Sequence, residues 1–273
     1  MIPTSSILSA ELKFRQILED FFISVYDEKS LPSHGISHHR RVWNYVKELL
    51  SLPVFCRATD NNLAENLILT SYLHDIGMSV EKGLIHGRHS RNFCVEFLTM
   101  YDLNPEDYID VLDTIENHDR KDYLIQSPDN PLLTILSLAD DLDAFGYTGI
   151  YRYVEIYLER SIKPEIIGYR IRENARVRFK NFEKIVSANN KFLQKHKIRF
   201  KILDDFFSEY NMQAETYNFG ERHASGYCGV IELLKQSIDN KEDLKVYSMI
   251  PENYPEDKVI GLFFKGLLSE LAD

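Results

Sequence analysis

The chain is short of the features that mark several large classes of protein. It has only three cysteines in 273 residues, Cys56, Cys94 and Cys228. They are too few and too scattered for a disulfide framework or a thiolate metal site, so free thiols in a reducing compartment, the cytoplasm, are expected. No run of about 18 apolar residues occurs, which argues against a membrane span. The opening MIPTSSILSAELKF has no basic stretch leading into an apolar one, and so no secretory signal is expected. Neither a G-x-S-x-G, nor a P-loop, nor a G-x-G-x-x-G is found, which removes the usual serine-nucleophile and nucleotide-cradle readings. An excess of positive charge is missing too. The formal net charge of −10 argues against nucleic-acid binding by the surface as a whole.

What is present is 44% apolar and 27% charged residues, the balance of a water-soluble globular chain. The length allows one large domain, or a domain with an appended piece. Charge is uneven along it. Arg160 to Lys201 carries thirteen Lys/Arg against three Asp/Glu, leaving the remainder near −20. Such a stretch is either a solvated helix face beside acidic neighbours or a site of attraction for an anionic substrate or acidic partner.

Twelve glycines and nine prolines are few for this length, alternating strand patterns are scarce, and helical periodicity dominates. Helices are expected near 7–27, 38–51, 60–76, 88–101, 105–118, 131–144, 150–161, 172–195, 197–210, 222–237 and 256–272. Asn104-Pro105-Glu106-Asp107 reads as a helix start, and Asn130-Pro131 repeats the signal. Gly77 and Gly146 suit helix stops. The stretch 239–256 reads as loop, with room for a short strand at Lys245 to Ser248. The expected class is all-α, a globular helical array.

Against that background SYLHDIGM raises a question. His74 and Asp75 end an apolar segment, and a buried imidazole beside a buried carboxylate is costly without compensation. Other polar residues also fall on apolar faces. Asp140 continues the stripe of Leu132, Leu133 and Leu136 at helical spacing, with Asp141 toward a more polar side and Asp143 placed to stand behind it. His118 follows Ile115 and Val111. His38 shares a face with Val42, Tyr45 and Leu49, and His39 with Trp43, Val46 and Leu50, so periodicity leaves the choice between those two open. His86 and His89 lie close in sequence to the His-Asp pair. Imidazoles and carboxylates together are the ligand set of Mn, Fe, Co, Ni or Zn, and one metal site would account for all of them at once.

These residues resemble the HD superfamily of metal-dependent phosphohydrolases. The dyad is His74-Asp75 in YLHDIGM. HGISHHRRVW is similar to the family's H-x-x-x-H-x-x-R-V element, which picks His38 with Arg41 and Val42 in the matching places. SLADDLDAFG resembles A-D-x-L-D-A-x-G and picks Asp140. HGRHSRNFCVEFL and IENHD are similar to the extended pattern and pick His86 and His118. The resemblance covers roughly 30–210, with helices beyond it, and implies a helical HD domain over 1–210 and a C-terminal extension over 211–273.

The resemblance implies one or two divalent transition metal ions, with His38, His74, Asp75, His86, His118 and Asp140 as ligands and Asp75 bridging. It implies a hydrolase in which metal lowers the pKa of bound water from 15.7 to about 7, giving hydroxide to attack a phosphate ester. Asp75, His86, His118 and Arg41 would then be the catalytic group. Arg41, Arg88, Arg91, Arg120 and Lys121 are candidates to clamp phosphate oxygens, and His39 or His89 to act as an acid. The implied partner is a small phosphorylated, nucleotide-like substrate, with homo-oligomers possible and no role for a membrane or nucleic acid. A di-iron oxygenase and a regulatory module with a structural metal are the other readings. His223, in HASGYCGVIELL, reads as part of a packing helix.

Overall fold

Between Leu67 and Leu73 no side chain is exposed, Thr70 and Ser71 included. Those two hydroxyls turn back onto the Leu67 carbonyl at 3.1 and 2.6 Å, which satisfies them without solvent. A helix apolar on nearly every side has to be surrounded. In this computed structural model, which describes residues 4–26, 31–55, 62–83, 85–119, 131–186, 191–220, 224–242 and 244–272, that is the place the segment takes. The helix Leu63–Leu73, α3, follows α1 (Thr4–Val25) and α2 (Ile36–Leu50) and precedes α4 (His86–Met100), α5 (Ile109–Asn117) and α6 (Pro131–Asp143). It packs on α1, α2, α5 and α6, while α2 also packs on α6 and α4 on α5. A buried carboxylate ties the back of this group. Glu19 of α1 accepts from Arg15, from Arg40 of α2 and from the Tyr72 hydroxyl of α3.

Helix α6 is buried from Leu132 to Asp143 without a gap, so Asp141 is as deeply buried as Asp140. The expected polar side for Asp141 does not exist, because α2, α3 and α5 all pack on the helix and every residue from Leu132 to Asp143 is buried. Asn104 does cap its helix, accepting from the Glu106 amide, but the helix it opens is a 3-10 turn, Pro105–Tyr108, that feeds α5.

The described chain divides into two compact units. Residues 1–143 with 184–187 form one, and 144–183 with 188–273 the other. The division expected from sequence was 1–210 and 211–273; in the structure the helices after Asp143 group with the C-terminal ones. The second unit holds α7 (Gly146–Glu159), α8 (Pro164–Ile185) as far as Glu183, α9 (Lys191–Ala214), α10 (Gly226–Asp239), α11 (Ile250–Asn253) and α12 (Lys258–Ala272). Helix α7 packs on α9, α10 and α12. Aromatic rings fill this unit, with Phe179 stacked on Phe200 at 4.3 Å and Phe263 against Phe206 and Phe264. Some of the basic stretch is neutralised within it, since Arg172 and Arg176 both grip Asp204 through two nitrogens each.

Two expectations fail here. Leu244–Ser248 forms a 3-10 turn, not a strand. No strand is found among the described residues to pair with it, and the turn satisfies its own backbone, as in the Met249 amide donating to Val246 at 3.0 Å. The break between α8 and α9 comes before Lys191 instead of after Lys195. No helix among the described residues is long and apolar enough to cross a membrane.

Candidate metal centre

Helix α3 stops at Leu73, and His74 and Asp75 form the turn into a 3-10 segment, Ile76–Ser79. The stop does not use a left-handed glycine. Gly77 is needed for a close approach: a Cβ there would stand 2.2 Å from the His86 carbonyl oxygen and 2.4 Å from the Ser90 amide. Gly87 permits a second close approach, since a Cβ there would lie 2.6 Å from the Glu116 carbonyl oxygen. Two missing side chains thus let three backbone segments meet, those carrying Asp75, His86 and His118.

At their meeting point Asp75 is buried and its two oxygens face different histidines. Oδ2 lies 3.6 Å from Nε2 of His38 and 3.4 Å from Nε2 of His74. Oδ1 lies 3.3 Å from Nε2 of His86 and 3.0 Å from Nε2 of His118. Asp140, on α6, brings Oδ1 to 3.9 Å from Nε2 of His38. Burial works against a charge on Asp75, but the His74 ring and the bonds from His118 and His38 outweigh it and hold the carboxyl well below the usual carboxylate range. Burial likewise works against a charge on His86, yet its contact with Asp75 and the Gly83 carbonyl bring it up to about 9.

The rings are oriented from behind. Nδ1 of His74, His86 and His118 donates to the carbonyls of Ser71, Gly83 and Ile115 at 3.1, 2.7 and 2.7 Å. Nδ1 of His38 donates to Oδ2 of Asp143 at 2.8 Å. These oxygens can only accept, so each ring keeps a proton on Nδ1, and an ion that displaced any proton from Nε2 would find the Nε2 lone pairs turned inward. Those lone pairs face one another, His38 to His74 at 3.3 Å and His86 to His118 at 3.4 Å. Two acceptors at such a distance repel unless a cation lies between them. Ligands about 2.0–2.1 Å from a tetrahedral ion stand about 3.3 Å apart, so the spacing fits a metal, and the backing of each ring by an oxygen is the usual support of a histidine ligand. Of three groupings among the described residues that could hold an ion, two contain Asp75, His38 with His74, Asp75 and Asp140, and Asp75 with His86 and His118.

All six residues expected as ligands therefore converge. The expected clamps do not. Arg41 gives Nε and Nη2 to Asp143 at 2.7 and 3.0 Å. Arg91 reaches Asp113 of α5 at 2.6 Å. Arg88 is exposed, and Arg120, Lys121, His223 and Cys56 lie outside the described residues. His89 is half-buried and joins no such grouping among the described residues.

His39 also lies at the cluster, in a third grouping with His38 and His74. It is fully buried and donates from Nδ1 to the Ser71 carbonyl at 2.9 Å. Burial first, then His38 and His74, push its pKa well below the ordinary value, which keeps it neutral. His34 lies four residues before His38, but Gly35 between them places it ahead of the helix, and it sits there in the 3-10 turn Pro32–His34, buried, its ring 5.4 Å from that of His38.

Comparison with curated proteins and with solved structures gave no match to the chain. A family model does match. The HD domain model covers residues 35–144, a span that contains every residue of the two groupings around Asp75. Residues 35–144 of this chain are accordingly an HD domain, a member of the superfamily whose His-Asp dyad stands here as His74-Asp75.

Proposed function

We propose that this chain is a metal-dependent phosphohydrolase that cleaves a small, nucleotide-like phosphate ester in the cytoplasm. The observation that carries the reading is the pair of facing Nε2 lone pairs on each side of the Asp75 carboxylate. His38, His74 and Asp140 would hold one divalent ion, His86 and His118 a second, with Asp75 shared. When bound, such ions supply Lewis acidity to a phosphoryl oxygen and to a water. The chain's own contribution is orientation. Oxygens behind the four rings fix their aim, and the depressed Asp75 carboxyl stays an acceptor across the physiological range. Arg88, two residues after His86 and exposed on the first turn of α4, is a candidate cation for the substrate phosphate. Arg41, committed to Asp143, holds the site instead of the substrate.

The test is elemental analysis followed by turnover of phosphomonoesters, phosphodiesters and nucleotides with Mn, Fe, Co, Ni or Zn. Metal-dependent release of phosphate or nucleoside, lost in Asp75→Ala, supports the reading. Turnover that survives Asp75→Ala, or none on any ester, overturns it. One observation favours a second reading. Asp75, His86 and His118 make a two-histidine, one-carboxylate set of the kind used by non-haem iron oxygenases. Iron-dependent oxygen uptake with a small organic substrate, and no ester cleavage, would select it.

A further inference from the structure

Three of the four rings aimed at Asp75 are backed by a neutral carbonyl three residues before them in the chain: Ser71 behind His74, Gly83 behind His86, Ile115 behind His118. His38 is the exception. Its Nδ1 donates to a carboxylate, Asp143, that lies 105 residues away. Asp143 is fully buried and also takes both Nε and Nη2 of Arg41, one helical turn beyond His38 on α2.

A carboxylate and a carbonyl are not equivalent in that place. A charged acceptor makes a shorter and stronger bond to the ring, and it raises the electron density at the opposite nitrogen. Arg41, through two nitrogens, fixes the plane of the carboxylate, so that Asp143 serves His38 and does not turn toward the ion itself. Through His38 the pair supports the grouping of His38, His74, Asp75 and Asp140. Among the described residues, Nδ1 of His86 and of His118 is bonded by a carbonyl and not by a carboxylate.

We infer that Asp143 and Arg41 are positioning residues that make the His38 side of the centre its tight metal site, leaving the His86–His118 side the weaker and more readily exchanged one. The inference rests on the metal reading given above. It is tested on the full-length protein, stripped of metal and titrated with Mn2+ or Zn2+ against a chelating dye. Asp140→Ala and His118→Ala identify which equivalent of metal belongs to which side.

Asp143→Asn should weaken the equivalent that Asp140→Ala removes by about 10- to 100-fold, and the other by less than about threefold. Arg41→Gln should act on the same equivalent with a smaller effect, and it serves should Asp143→Asn not fold. Nitrogen-15 spectra of the metal-free rings give a readout that general loosening would not mimic. The His38 Nδ1–H signal should move in Asp143→Asn while those of His74, His86 and His118 stay. Equal weakening of both equivalents, or of neither, overturns the inference while leaving the metal centre standing. A wild-type chain that takes up no metal overturns both.

Discussion

Nε2 of His118 stands 3.0 Å from Oδ1 of Asp75, and the other oxygen of that carboxylate is left to His38 and His74. One side chain therefore belongs to both sides of the centre. Asp75→Ala should remove metal from both, whereas His118→Ala should spare the side of His38, His74 and Asp140. Elemental analysis of the three proteins, purified alike, checks this. The proposed ligands are brought together only in the folded chain, so saturating it with metal at about 1,000 times Kd should stabilise the wild type by about 4 kcal/mol, and chelation should return that gain. Asp75→Ala retaining the wild-type metal content would be inconsistent with a shared ligand.

Gly77→Ala forces a methyl group to within 2.2 Å of the His86 carbonyl oxygen. Backbone cannot rotate away as a side chain can, so the start of α4 has to shift and carry His86 with it. A loss of about 1–3 kcal/mol in urea unfolding is expected, together with weaker metal binding on the His86–His118 side. Unaltered stability and metal content would mean that the close approach has no consequence.

Glu19 offers a test of the fold apart from the centre. Burial opposes its charge, and Arg40, Arg15 and Tyr72 overcome that and lower its pKa. Glu19→Ala leaves the buried Tyr72 hydroxyl and some of the Arg40 guanidinium without their acceptor, at a cost of about 2–4 kcal/mol. Tyr72→Phe, which removes one bond at 3.0 Å, should cost about 1 kcal/mol. Metal content should be unchanged in both, and a loss of metal would show that the clamp reaches the centre.

His196, in the second unit, predicts an acid limit to stability. Burial first, then Arg199 and Lys195, push its pKa down to about 2. In the unfolded chain it titrates near 6.5, so below that pH the unfolded state binds the proton and the folded state does not. Stability from this group is present above about pH 6.5 and is lost as pH falls, by up to about 1.4 kcal/mol per pH unit. His196→Phe, placed among Phe182 and Phe192, cannot be protonated and should lose less stability between pH 7 and pH 5. Parallel slopes for the two proteins would rule His196 out as the cause.

Much of the centre could be read from the helical period because its residues continue apolar stripes. Asp140 follows Leu136 and Leu133, and His118 follows Ile115 and Val111, and all are buried. The same rule failed where its premise failed. Helix α6 has no polar side, so it could not place Asp141, and α2 buries both His38 and His39, so it could not choose between them. Arg41 was out of reach for another reason. Its guanidinium is taken by a carboxylate 102 residues away, and no local pattern records such a pairing. The strand expected at Lys245 to Ser248 depended on a partner strand, which a short alternation cannot supply.

The bonds that aim the four rings also set an order of assembly. Those of His74, His86 and His118 close within a single turn of chain and can form as soon as their helix ends do. The bond that aims His38 has to wait until 105 residues have been looped and α6 has docked on α2. Closing a loop of that length carries an entropic cost that local turns escape. During refolding, then, metal should be captured late, in step with the arrival of Asp143, because the last direction the ion needs is the one the chain is slowest to give.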